Sequence, residues 1–237
     1  MSLPTERPAE LPPELPTELL AAPGASSFPA HVVIRELALP IDVVLLRLGP
    51  SGDDLRSLTP LGRVPTLRFA DGTTIGENSA ILPFLADLIP GTPLFAPAGS
   101  VERARIQSWI GYINSEIHGA TQRVGNRPHL YSDDPAAHEG IRQAARRRLR
   151  EAYEPLERHL TAHDWLVGDR FTIADAYLGV FVSYLPHFGE ALAGLDALAR
   201  FSQRFESRES VRAARAFEGP LPFTPRPQPV IQEEPTA

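Results

Sequence analysis

The chain has 237 residues, 43% hydrophobic and 22% charged, with a formal net charge of −6, the balance of an ordinary globule long enough for a sizeable core. The acidic balance speaks against a nucleic-acid binder, whose footprint is basic, and the absence of cysteine excludes disulfides, thiolate metal sites and a cysteine nucleophile. All 23 basic residues are arginine, so lysine Schiff-base chemistry is excluded, and no apolar run approaches the roughly 18 residues of a membrane span.

Residues 1–16 carry five prolines and no apolar core of signal-peptide type, and read as a flexible lead-in to a cytoplasmic protein. Residues 18–22 read as a short strand, and 28–37 as a helix with Val32, Val33 and Leu37 facing inward. Residues 41–46 read as a buried strand, bounded by Pro40 and Gly49-Pro50, and the polar stretch 51–59 as irregular or a single helical turn. Strands near 66–69 and 73–75 flank Asp71-Gly72, a hairpin signal. A helix follows over about 78–88. Pro83 predicts a kink in it rather than a break, because Phe84, Leu85 and Leu88 continue the apolar stripe. This order, βαβ, connection, ββα, is thioredoxin-like.

Residues 91–100, with Pro93 and Pro97, read as a linker, and everything beyond is helical until the tail. Ile106, Ile110, Ile113 and Ile117 share one helix face; Leu149, Tyr153, Leu156 and Leu160 repeat the pattern. Thr172 and Asp175 form a near capping box before the apolar run 177–182, which marks a central helix. The tail from Pro220 holds six prolines.

The most informative run is Gly62-Arg63-Val64-Pro65-Thr66-Leu67, followed by Asp71-Gly72 and Glu77-Asn78-Ser79-Ala80-Ile81. A Val-Pro bond adopts the cis isomer far more cheaply than a bond to any other residue, and a cis corner turns a backbone edge outward. Val64 N–H and C=O can then hold an extended peptide as an added strand does. The helix start near Asn78 aims its free N–H groups at the same place, which suits a carboxylate. The combination describes a site for a small acidic peptide.

This arrangement resembles the glutathione-binding half of the glutathione transferase superfamily. Ala22-Pro23-Gly24-Ala25-Ser26-Ser27-Phe28 resembles the loop between first strand and first helix of the bacterial beta-type enzymes, and the segment from Asp164 to Asp175 the lead into their buried helix. The resemblance covers roughly residues 17–218. It implies a thioredoxin-like α/β domain over 17–91, a linker at 92–100, an all-α domain over 101–218 and a proline-rich tail at 219–237. It also implies glutathione as co-substrate and a homodimer, with a hydrophobic electrophile as second substrate, as in detoxification.

Beta-type relatives place a cysteine and a serine where this chain has Ser26 and Ser27. A serine hydroxyl can donate to the glutathione thiolate, so Ser26, or alternatively Ser27, takes that role; the other reading is a serine capping the helix at Phe28. Glu77 and Asn78 match the pair that receives the γ-glutamyl end, Glu77 for the ammonium and the Asn78 amide for the α-carboxylate; alone, the pair also reads as an acidic first turn with an N-cap. Val64, next to Pro65, binds the cysteinyl backbone. His118, in Ser115-Glu116-Ile117-His118, falls on the family's active-site histidine, although a lone helical histidine is commonly structural. Glu116 reaches toward the partner subunit's glutathione, and Arg63 toward the glycyl carboxylate. Gly111 and Gly119 replace the family's asparagine and lysine.

His159 and His163 have the spacing of a zinc pair but no evident third ligand, and Arg142, Arg146 and Arg150 read as a solvated face. The electrophile pocket is expected between the Ser26 loop and the helix ending at His118, with Phe28 and Tyr112 on its wall. A glutathione-dependent lyase, dehalogenase or isomerase shares all these features. A transferase-fold binding or assembly module is the reading from another class.

Overall fold

The computed structural model describes residues 14–48, 52–184 and 194–219; nearly all of the lead-in and tail fall outside them. One mixed sheet has the order β2-β1-β3-β4. β1 (Pro16–Ala21) pairs in parallel with β2 (Asp42–Leu45) and antiparallel with β3 (Thr66–Phe69), and β4 (Thr74–Gly76) closes the edge. A parallel pair needs a crossover, which α1 (Phe28–Glu36) supplies. The β3–β4 hairpin turns on Asp71-Gly72 as expected: Gly72 adopts φ 87°, and Asp71 Oδ1 accepts from Thr73 N–H at 2.8 Å. A single turn, α2 (Leu55–Leu58), and α3 (Asn78–Asp87) complete this part. α3 runs unbroken through Pro83, and the Val64–Pro65 bond is cis.

α4 (Val101–Tyr112) begins at Ser100, whose Oγ accepts from Arg103 N–H at 3.2 Å. Ile106, Ile110, Ile113 and Ile117 are all buried, so the expected apolar face is real. The helix type is not as expected, because Ile113–Gln122 is π-helical. Its i→i+5 bonding is rare and concentrates at functional sites. α5 (Arg123–Asn126) and two short 3₁₀ turns lead to α6 (His138–Ala162), whose Leu149, Tyr153, Leu156 and Leu160 face inward.

α7 (Ile173–Tyr184) is the central helix, with every residue but Ser183 buried. Its start is the expected capping box. Asp175 Oδ2 accepts from Thr172 N–H at 2.8 Å and from Thr172 Oγ1 at 2.7 Å, while Oδ1 accepts from Leu166 N–H at 2.8 Å. Burial nevertheless pushes the Asp175 carboxyl up to about 6 against those bonds.

α8 (Asp196–Glu206) and α9 (Glu209–Glu218) complete the helical part, and a continuous core joins it to the sheet. The end of α9 is tied to α1 through a fully buried histidine. Arg35 Nε donates to His31 Nε2 at 2.8 Å, so Nδ1 carries the proton that meets Glu218 Oε1 at 2.9 Å. Among the described residues no helix is long and apolar enough to cross a membrane.

Candidate active site

The loop between β1 and α1 is held from several directions. Ser27 Oγ accepts from Ala22 N–H at 3.1 Å and donates to the Ala22 carbonyl at 3.4 Å. Tyr184 of α7 donates its hydroxyl to the Ala25 carbonyl at 3.2 Å. Asn78 Nδ2 donates to the Ser26 carbonyl at 2.7 Å. Ser27 is fully buried and its hydroxyl is committed. It stands at the N-cap position of α1 without a side-chain cap bond. Ser26 is half-buried, and among the described residues its hydroxyl has no hydrogen-bond partner.

The start of α3 faces this loop. Glu77, at the N-cap, has φ 66°; a side chain in that region costs about 1–3 kcal/mol, and such residues cluster at ligand clamps. Its exposed carboxylate meets Arg63 at 3.5 Å. Asn78 is buried; one N–H of its amide donates to the Ser26 carbonyl, and among the described residues its Oδ1 has no partner. The N–H groups of Asn78 and Ser79 precede the first intrahelical bonds, which run from Ala80 and Ile81 to the Glu77 carbonyl. Val64 lies outside the ladder registers of β3, beside the buried Pro65.

The π-helical segment carries His118 against α7. Tyr177 donates its one proton to Asn114 Oδ1 at 3.0 Å, so the 3.3 Å contact between His118 Nδ1 and the Tyr177 hydroxyl is donated by the imidazole. Nε2 is then an acceptor. Burial lowers the His118 pKa to about 4, and the guanidinium groups of Arg123, Arg127 and Arg63 act in the same direction. The ring is neutral at pH 7 and lies 5.0 Å from that of Phe181. Burial also raises the Tyr177 phenol, and a hydrogen bond from Asn78 opposes that rise. Ser26 with Asn78, and His118 with Tyr177 and Asn114, thus form two hydrogen-bonded groups, one at the start of α3 and one against α7.

Other expected residues lie elsewhere or are otherwise engaged. Phe28 is fully buried core rather than pocket wall, and Tyr112 donates its hydroxyl to the Ala152 carbonyl at 2.8 Å. Glu116 meets Arg148 at 3.8 Å within the same chain. His159 Nε2 contacts the Trp165 carbonyl at 3.3 Å, and among the described residues no three His, Asp or Glu side chains gather in a metal-holding group. Arg142 and Arg146 pair with Glu139. A surface hollow of about 560 Å³ lined by Val101, Glu102, Arg105 and residues 167–170 shares no residue with the cleft. Tyr177, Tyr184, Asn114, Arg123 and Arg127 are absent from the sequence-based candidates. The two phenols carried a signal, as hydroxyls in an otherwise apolar helix.

Residues 26–88 match the family model of the glutathione S-transferase N-terminal domain, and residues 118–209 that of the C-terminal domain. Glutathione S-transferase GstA of Escherichia coli O157:H7 is 34% identical over 206 residues, 85% of this chain and 98% of the relative. The chain belongs to the glutathione S-transferase family. A second member, GST-4.5 of Xanthomonas campestris, is 36% identical over 204 residues with the same coverage of 85% and 98%. Among solved glutathione S-transferases, BphK, a bacterial enzyme in a ternary complex, superposes with a TM-score of 0.74 at 32% identity, covering 85% of this chain and 98% of its own. The beta-class enzyme of Sphingomonas chungbukensis gives 0.74 at 31% identity with the same coverage, 85% and 98%. The small mixed sheet followed by a helical domain is the glutathione S-transferase fold.

Proposed function

We propose that Ser26 polarises the glutathione thiol in this glutathione S-transferase and that the thiolate is joined to a hydrophobic electrophile in the cleft beside His118. Family membership makes glutathione the co-substrate and transfer the activity; the assignment to residues is the proposal. The observation that carries it is the Ser26 loop, in which Ser27, Ala25 and the Ser26 carbonyl are all engaged while the Ser26 hydroxyl is left open.

A free thiol with a pKa of about 8.5 is only about 3% thiolate at pH 7. Lowering that pKa by two units takes about 2.7 kcal/mol of preferential stabilisation and raises the thiolate to roughly 75%. A charge-assisted bond from one hydroxyl, with the field of the α1 N-terminus, is of this size. Val64 pairs with the cysteinyl backbone, Glu77 with the ammonium, and the first N–H groups of α3 with the α-carboxylate. Arg63 serves the glycyl carboxylate once its 3.5 Å contact with Glu77 opens. Sulfur forms a bond to the electrophilic carbon, the leaving group departs with its electron pair, and the thiol proton passes to solvent. Neutral His118 lines the electrophile side. Two copies pair as a homodimer; for Glu116 to reach the partner's glutathione, its contact with Arg148 must open.

The test is retention on immobilised glutathione with turnover of 1-chloro-2,4-dinitrobenzene. Ser26→Ala is expected to lower kcat/KM by about 10- to 100-fold and to raise the pKa read from its pH profile toward that of free glutathione. Unchanged turnover and profile in Ser26→Ala overturn the hydroxyl role. Retention without turnover supports a binding module.

A further inference from the structure

We infer that the electrophile is an aromatic molecule bearing a carboxylate, and that Arg123 and Arg127 hold that carboxylate beside His118. The inference rests on transfer at Ser26 and names the substrate class of that site. The two arginines are placed by the backbone. Arg123 N–H donates to the His118 carbonyl, closing the last π turn, and Arg127 N–H donates to the Arg123 carbonyl at 3.0 Å. His118, Arg123 and Arg127 therefore follow one another about a turn apart, with Arg127 at the non-helical cap of α5.

Their charge is not spent elsewhere. Among the described residues neither guanidinium has a carboxylate within ion-pair distance, whereas Arg63, across the cleft, already has Glu77. No Asp or Glu occurs between Glu116 and Asp133, in a chain with 29 acidic residues. Among the described residues the two arginines make an unpaired positive patch beside His118, and a patch of one sign raises the local concentration of the opposite ion. Both arginines lower the His118 pKa, so their field reaches the position beside the ring.

The apolar half of the ligand is provided for next to the charge. The turn after Arg127, in which Leu130 N–H donates to the Arg127 carbonyl at 3.0 Å, exposes the large side chains of Leu130 and Tyr131. Planar forks of two guanidinium groups suit a carboxylate, and the exposed ring of Tyr131 suits an aromatic body.

The probes are 4-chloro-3,5-dinitrobenzoate and its methyl ester, which share a ring and leaving group and differ in charge. In both, the glutathione thiolate forms a C–S bond at the chlorine-bearing carbon, chloride leaves with the bonding pair, and the thiol proton goes to solvent. After normalising to the uncatalysed rates, kcat/KM for the carboxylate is expected to exceed that for the ester by about tenfold at low salt. The Arg123→Gln/Arg127→Gln double variant, its folding checked by thermal melt, is expected to reduce that ratio to near one, mainly through KM. Competitive inhibition by 3,5-dinitrobenzoate against its ester provides the same comparison on the unaltered chain, and it should weaken as salt rises. Equal use of both probes by the unaltered enzyme, or a ratio that survives in the double variant, overturns the carboxylate assignment while leaving transfer intact. Turnover of neither probe overturns the carboxylate assignment, and failure to turn over 1-chloro-2,4-dinitrobenzene as well overturns both.

Discussion

Asn78 Nδ2 donates to the Ser26 carbonyl at 2.7 Å, joining the start of α3 to a loop 52 residues earlier in the chain. The amide thus positions the residue proposed to meet sulfur, while its own helix start is proposed to receive the γ-glutamyl carboxylate. Asn78→Ala is expected to release the Ser26 carbonyl, raise the KM for glutathione several-fold and cost about 1–2 kcal/mol of stability. Steady-state kinetics with a urea unfolding curve check both parts; an unchanged KM removes the positioning role.

Ser27 behaves differently from its neighbour. Its buried hydroxyl satisfies Ala22 N–H, so Ser27→Ala leaves a buried donor without a partner. The expected cost is about 1–3 kcal/mol of stability, with the pH profile of kcat/KM kept. Denaturant melts of the two serine variants separate a loop-holding role from a sulfur-facing one.

His118 has a folded-state pKa lowered from 6.5 to about 4, chiefly by burial and then by Arg123, Arg127 and Arg63. Its neutral form is favoured in the fold. The linked stability is fully present above about 6.5 and is lost as pH falls through about 4. The imidazole resonances are expected to show no titration between pH 6 and 8, and the midpoint should rise in Arg123→Gln. A titration near 6.5 contradicts the burial.

Asp175 has the opposite sign. Burial raises its pKa from 3.8 to about 6 despite three accepted bonds. Its linked contribution is fully present below about 3.8 and is lost as pH rises through about 6. Asp175→Ala removes all three bonds at the start of the central helix and is expected to cost about 3 kcal/mol. Thermal unfolding of both proteins across pH 4–7 reads the loss and its pH dependence.

Much of the architecture is local enough to be read in one dimension. Asp71-Gly72 makes its hairpin because only a residue like glycine sits freely at φ 87°. The Thr172–Asp175 box opens α7 because both groups lie within one turn, and the four isoleucines from Ile106 to Ile117 are buried because a helical period places them on one side. The π-helical form of 113–122 was not legible, since that repeat and an α-helical one share these apolar positions.

The sequence by itself determined the order of strands and helices, the cis-proline corner at Val64–Pro65 and the family to which the chain belongs, because these depend on neighbours a few residues apart. Only the tertiary structure decided which serine has an open hydroxyl, that the Asn78 amide reaches back to Ser26, and that Tyr177 sets the His118 tautomer. The physical reason is that a hydrogen-bonding group serves whichever partner folding brings within about 3 Å. Those partners, Ser26 with Asn78 and His118 with Tyr177, are separated by 52 and 59 residues of chain.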